Sequence, residues 1–339
     1  MMWSETGLWA DVRELPAALA ATLDAGDGIA ETAALLGARD VRRVVTSGNG
    51  AAYYVALGLA LAALGGRGDG PAVVAVPSGL LAGGWFEWRP GDRLLAVSSS
   101  GEFRDLVQAL DAAPQPFAAV TATAGSTIGR RAGARALQIV LGQRATTHTQ
   151  ALAGGIACAL AVWARVVGDG GLRDALAAAP GAAGRAVAEA GAWAAELGEL
   201  EVPAAAIAFS AGPGWAAALE ASLLLKEVAR VPCEGVETRE GATSAMYALD
   251  GRHAAVSLPL GDDPLQREAE EVCAGAGARV LRCPGGALAD PRLALVTTLP
   301  AACGLAAMLA VAGGHDVDKP AWADAYYATA RAEGAEPAT

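Results

Sequence analysis

The chain is poor in the residues that build metal centres and disulfide frameworks, with 3 histidines and 5 cysteines in 339 residues. Cys158, Cys233, Cys273, Cys283 and Cys303 form no C-x-x-C pair and stand at no metal-ligand spacing from a histidine. Neither a metal site nor a disulfide scaffold is expected. No Lys/Arg run occurs, and 36 acidic against 25 basic residues leave a formal net charge of −11. Binding a polyphosphate needs a basic face, so nucleic acid is not an expected partner. Hydrophobic residues make up 53% of the chain, yet charged residues interrupt the apolar stretches before the ~20 residues that a spanning helix needs. The longest candidate, Ala151 to Val167, carries Arg165 near its end and reads as a buried Ala-rich helix, so no membrane partner is expected. The opening Met1-Met2-Trp3-Ser4-Glu5-Thr6 lacks the basic start and apolar core of a signal peptide. With unpaired cysteines, that makes a reducing cytoplasm the expected location.

What is present is an alternation of strands and helices, given twice. Helices with a break at Pro16 are expected over residues 5 to 37, then a strand from Val41 to Thr46 ending in Ser47-Gly48-Asn49-Gly50, and a helix from Ala51 to Leu64. Strands at Ala72 to Val76, Arg93 to Val97 and Phe117 to Thr121 follow, with helical stretches between. After a helix at Ala182 to Leu200, strands are expected at Val202 to Phe209, Ala254 to Leu258 and Arg279 to Leu281, with Leu293 to Thr297 a further candidate. Helices are expected at Trp215 to Arg230 and Leu265 to Gly275. Apolar strands without alternation belong to parallel sheets covered on both faces. The expectation is therefore an α/β fold of two subdomains, each a parallel sheet between helices in a three-layer, flavodoxin-like arrangement, divided as 1–195 and 196–339.

The strand Leu95-Ala96-Val97 ends in Ser98-Ser99-Ser100-Gly101-Glu102, ahead of a helical Asp105 to Leu110. Three hydroxyls and free backbone N–H groups at a helix start make an anion cradle, although a serine-rich turn also serves as a plain N-cap. At the corresponding point of the second half, Asp262 and Asp263 would repel an anion, so one anion site per chain is expected. Gly48-Asn49-Gly50 follows a strand, but Tyr53 replaces the third glycine of a dinucleotide fingerprint and no acidic residue ends the next strand. Thr146-Thr147-His148-Thr149 could offer hydroxyls to a polyol or simply cap the following helix, and His148 could carry a proton or lie on a polar surface. Glu227, on a helix whose other residues are largely apolar, reads either as a solvated residue or as a general base at a pocket edge. Glu240, in Arg239-Glu240-Gly241-Ala242-Thr243-Ser244, reads as loop, N-cap or assisting carboxylate.

In this order, the segments resemble the double-SIS (sugar isomerase) domain family, over most of the chain. Ser47-Gly48-Asn49-Gly50 is similar to the family's first Gly-Thr-Ser turn, and Ser98-Ser99-Ser100-Gly101-Glu102 to its Ser-Gln-Ser-Gly-Glu phosphate loop. Ala145-Thr146-Thr147-His148 is similar to its Ala-Ser-Thr-Lys segment. Ala218 through Glu227 resembles its Ala-Leu-Glu-Gly-Ala-Leu-Lys-Leu-Lys-Glu helix, and Asp316-Val317-Asp318-Lys319-Pro320 its Asp-Val-Asp-Gln-Pro.

The resemblance implies a small-molecule sugar ligand, phosphorylated, and a homodimer without metal or redox cofactor. It implies an aldose/ketose isomerase, or a deaminase or deglycase of an amino sugar phosphate. Glu227 would be the base, assisted by Glu240 or His148. Gly48, Asn49, Gly50, Ser98, Ser99, Ser100 and Glu102 would hold the phosphate, Arg104 could add a bidentate partner, and Thr146, Thr147 and Thr243 would meet the sugar. The chain departs from the family where Leu224 and Ala325 replace lysines, Thr243 a ring-opening histidine, Phe103 a threonine and Gly50 a serine. Those departures leave two alternatives open: a non-catalytic sugar-phosphate sensor or scaffold, and an enzyme acting on a non-phosphorylated sugar.

Overall fold

The computed structural model describes residues 2–26, 28–65, 70–147, 149–285 and 290–331. Two parallel sheets organise them. The first has the strands β1 (Arg43–Gly48), β2 (Ala72–Pro77), β3 (Asp92–Val97), β4 (Ala118–Thr121) and β5 (Ala136–Gln138) in the order β2-β1-β3-β4-β5. The second has β6 (Ala205–Ser210), β7 (Cys233–Glu237), β8 (His253–Ser257) and β9 (Arg279–Arg282) in the order β7-β6-β8-β9. Every pairing is parallel. Val44, Val45, Leu94, Leu95, Ala119 and Val120 are all buried, so successive residues bury to opposite faces, as helices on both sides of a sheet require.

In each sheet the first strand has its successor on one side and the next strand on the other. This reversal leaves a crevice at the carboxyl ends of β1 and β3, and of β6 and β8, which is where ligands bind in open α/β sheets. The chain forms two compact units. One comprises Met1–Pro16, Gly142–Gln150 and Ala179–Ala321 and contains the second sheet; the other comprises Ala17–Leu141, Ala151–Ala178 and Trp322–Thr339 and contains the first.

Several elements differ from the expectation. The N-terminal helix runs from Gly7 to Ala25 straight through Pro16. Proline forfeits one bond, to the carbonyl of Val12, and the burial of Leu8, Val12, Leu15 and Leu19 along one stripe offsets that loss. Leu293 to Thr297 is not a strand but a 3-10 turn, Pro291–Leu293, leading into helix Ala294–Thr297. Asp290 caps it by accepting the Arg292 N–H at 2.9 Å. The helix expected from Ala182 begins at Gly170 and continues to Leu197, with Pro180 inside it. The helix from Trp215 stops at Glu227, and Arg230 takes a left-handed φ of 56°. Sequence reading missed β5, three residues long, and β7, whose Cys-Glu-Gly-Val-Glu carries little apolar signal because it lies at a sheet edge.

The expectation that charges interrupt every apolar stretch, with Ala151 to Val167 the longest, fails at the uncharged stretch after Arg292: among the described residues one helical run, 291–312, is long and apolar enough to cross a membrane. Within it 94% of the qualifying window is buried inside the fold, which is the behaviour of a core helix.

Candidate functional site

The described predicted residues divide between the two units. In the first-sheet unit, β1 and β3 are neighbours in register, Ser47 beside Ala96, so the Gly48–Gly50 and Ser98–Ser100 turns emerge side by side at the crevice. A Cβ on Gly48 would lie 2.6 Å from the Ala52 carbonyl carbon, so only glycine lets the helix Ala51–Leu64 start this close to the strand end.

The serine turn is bound to its neighbours. Ser98 donates its N–H to the Val120 carbonyl at 3.0 Å. The Ser99 carbonyl accepts the Ala122 N–H at 2.9 Å and the Thr121 hydroxyl at 3.1 Å. The Gly101 N–H donates to Ser98 Oγ at 3.1 Å, and the Glu102 N–H to Ser100 Oγ at 3.2 Å. Gly101 has a φ of +66°, and a Cβ there would collide with the Ser126 side chain. Helix Arg104–Ala109 follows with no side-chain cap from Phe103, leaving its first N–H groups without a side-chain acceptor. Ser98 is buried, and Ser99 and Ser100 are half-buried.

Glu102 and Arg104 are placed differently from the serines. The Glu102 carboxylate accepts the Thr127 N–H at 2.7 Å and so caps helix Thr127–Ala132. Arg104 is exposed, with Nε 3.5 Å from Asp105. In the same unit the hydroxyls of Thr46, Ser47 and Ser78 are buried without a hydrogen-bond partner, and sequence reading gave none of them a ligand role. Their only signal was position at the ends of β1 and β2.

In the second-sheet unit, helix Trp215–Glu227 carries two carboxyls of unusual acidity. Glu227, half-buried at its last turn, is pushed up to about 7 by burial, against a small opposing pull from Lys226. Glu220 is 2% exposed, and burial together with the charge of Glu227 raises it well above 4.5. Its Oε2 has no partner. Leu224, one turn before Glu227, is fully buried.

Thr146 donates its N–H to the Asp318 carbonyl at 3.2 Å. The hydroxyls of Thr147 and Thr149 are buried and unpartnered; His148 lies outside the described residues. Glu240 and Thr243 sit on the exposed short helix Thr238–Thr243. There Glu237 caps the Arg239 N–H at 2.8 Å, and the Thr243 hydroxyl donates to the Glu240 carbonyl at 3.1 Å. Asp263 caps helix Pro264–Gly275 through the Leu265 N–H, and Asp262 pairs with Arg267. A shallow cavity of about 280 Å³ at the ends of β8 and β9 is lined by Trp193, Pro259, Gly261, Arg282, Cys283 and Pro284. No predicted residue lines it, and its one cation, Arg282, already pairs with Glu270.

By sequence, no family model and no curated protein matches the chain. By structure, it is similar to a candidate phosphosugar isomerase from Silicibacter pomeroyi DSS-3, at 22% identity and a TM-score of 0.76, over 92% of this chain and 100% of that one. It is also similar to the C-terminal domain of glucosamine-fructose-6-phosphate aminotransferase from Francisella tularensis, at 16% and 0.74 over 93% and 98%. Glucosamine-6-phosphate deaminase from Thermotoga maritima matches at 15% and 0.74, over 93% and 98%. At these identities the likeness is one of fold.

Proposed function

We propose that this chain, whose fold is that of the double-SIS sugar isomerases, binds a sugar phosphate and moves a proton between its adjacent carbons. The reaction is an aldose/ketose isomerisation, or the deamination or deglycation of an amino sugar phosphate. Glu227 carries the reading. A carboxyl pushed up to about 7 is partly ionised at neutral pH and can both take and return a proton. Moving a proton between C1 and C2 changes no net oxidation state, so the chemistry as proposed calls on no redox cofactor.

The roles follow the resemblance. Ser98, Ser99 and Ser100 hold the phosphate and Thr146 and Thr147 meet sugar hydroxyls. Glu240 or His148 assists where Thr243 has replaced the family histidine. A homodimer is the assembly the resemblance implies, and a reducing cytoplasm suits five free thiols. Leu224, a buried apolar side chain where the family has a lysine, favours a second reading, a sensor that binds the sugar phosphate without turning it over.

A thermal-shift screen against glucosamine 6-phosphate, fructose 6-phosphate, their N-acetyl and glycated relatives and the matching free sugars separates these readings. Ligand at a hundred times Kd stabilises the fold by about 2.7 kcal/mol. A shift with phosphorylated compounds followed by turnover supports the enzyme, a shift without turnover the sensor. A shift with free sugars alone removes the phosphate from the proposal, and no shift at all overturns it.

A further inference from the structure

We infer that Asp11 is a positioning residue for the Arg144–Thr147 segment, acting with Asp318 to hold that segment against the first turns of the N-terminal helix. The inference rests on the sugar-binding role proposed above for Thr146 and Thr147. Asp11, on helix Gly7–Ala25, is 0% exposed, and its carboxylate faces backbone rather than solvent. Both its oxygens accept the Arg144 N–H at 2.8 Å, and Oδ2 also accepts the Ala145 N–H at 2.8 Å. Its own carbonyl accepts Gln150 Nε2 at 3.0 Å, and Gln150 Oε1 in turn accepts the Gly142 N–H at 2.8 Å. The segment is thus fastened to one turn of helix on either side of its threonines.

Asp318 fastens the middle. Its carboxylate accepts the N–H groups of Gly7 at 2.7 Å and Leu8 at 2.8 Å, capping the helix, while its carbonyl accepts the Thr146 N–H at 3.2 Å. Asp316 holds Asp318 in turn by accepting its N–H at 3.0 Å. This is a physical use for the Asp-Val-Asp-Lys-Pro run that the proposed chemistry does not employ.

A buried carboxylate given to two backbone N–H groups of an irregular segment, with only the Arg144 guanidinium beside it at 3.4 Å, is costly unless that segment must hold one shape. Thr147 in it and Thr149 just beyond it explain the need. Thr147 is 3% and Thr149 0% exposed, and the hydroxyl of each lacks a partner in the protein. Such groups are poised for an occupant that supplies the missing hydrogen bonds, and a sugar hydroxyl does so.

The test joins amide hydrogen exchange with the affinity for glucosamine 6-phosphate, in Asp11→Ala, the isosteric Asp11→Asn, and two controls. Glu14→Gln removes only the exposed pair with Arg144, and Leu15→Val lowers stability through the core of the same helix. The expected result is at least ten-fold faster exchange at residues 144–147 and at least ten-fold weaker binding in Asp11→Ala, with Asp11→Asn intermediate and both controls near wild type in both measurements. Unchanged exchange in a folded Asp11 variant overturns the inference whatever the ligand does. Faster exchange with unchanged affinity overturns the positioning role, and so does weaker binding in Leu15→Val equal to that in Asp11→Asn. If wild type does not bind the probe, the ligand assignment of this segment fails while exchange still decides whether Asp11 holds it.

Discussion

Glu220 and Glu227 stand two turns apart on one face of helix Trp215–Glu227, and the charge of Glu227 adds to burial in raising the pKa of Glu220. Seven residues advance an α-helix by close to two full rotations, about 10 Å along its axis, so the two carboxyls share a stripe with Leu224 between them. Full burial pushes Glu220 well above the usual carboxylate range, whereas the half-buried Glu227 is pushed up to about 7. Two carboxyls whose surroundings push their acidities apart are the pattern by which acid and base are told apart in enzymes.

Glu227→Gln keeps the shape of the side chain and removes its basicity. Turnover of whichever sugar phosphate the wild type accepts is expected to fall by at least ~10²-fold, with Kd within a few-fold. Because the ionised form is the base, wild-type kcat/KM is expected to climb as pH rises towards about 7 and to flatten above it. A steady-state pH profile of wild type, and one single-turnover comparison with the variant, check both. A profile flat from pH 5 to 9 removes Glu227 as the base.

Glu220→Gln makes the opposite case, one about stability. A carboxyl whose folded pKa lies above its unfolded value stabilises the fold fully below about 4.5 and loses that contribution as pH rises through the folded value. Wild type therefore weakens relative to the variant, which cannot ionise, as the buffer becomes alkaline. The difference in Tm between the two proteins, measured at pH 5, 7 and 9, is expected to move steadily in favour of Gln. A constant difference shows that Glu220 does not titrate on unfolding.

Gly101→Ala is expected to destabilise the first-sheet unit by about 2–4 kcal/mol. The cost combines a left-handed φ of +66° with a collision at Ser126, whose Oγ already accepts the Gly129 N–H at 3.1 Å. Urea unfolding reads that loss. Gly125→Ala, where a new Cβ meets nothing within 4 Å, is the control and stays within about 0.5 kcal/mol of wild type.

Much of this architecture was legible because buried parallel strands advertise themselves. Val44-Val45 and Leu94-Leu95 are apolar on consecutive residues, and the turns that follow them contain the glycines and serines of a ligand-binding edge. Two of the edge strands, β5 and β7, were not legible. β7 reads as an acidic stretch, and the tertiary pairing with β6 that makes it a strand has no local signature. The same limit applies to the site. Glu227 stood out as a carboxylate on a largely apolar helix, but the role of Asp11 depends on bonds to residues 133 and 134 positions away, which no periodicity encodes. Pro16 misled for the converse reason, since a strong local rule yielded to the burial of the helix around it.

The serine turn yields the sharpest division between structure and binding, because its hydroxyls are already unequal. Ser98 Oγ accepts the Gly101 N–H and Ser100 Oγ the Glu102 N–H, so each helps to shape the turn, whereas Ser99 is held through its carbonyl. Ser98→Ala should therefore lower Tm as well as affinity, and Ser99→Ala affinity alone. A hydrogen bond to a phosphate oxygen contributes about 1.5 kcal/mol or more, so Ser99→Ala is expected to weaken the phosphorylated ligand roughly ten-fold while leaving the matching free sugar unchanged. Calorimetric titration of both sugars into both variants makes the comparison. An equal loss for the phosphorylated and free sugars would place Ser99 against the sugar ring, and no loss for either would remove the serine turn from the site altogether.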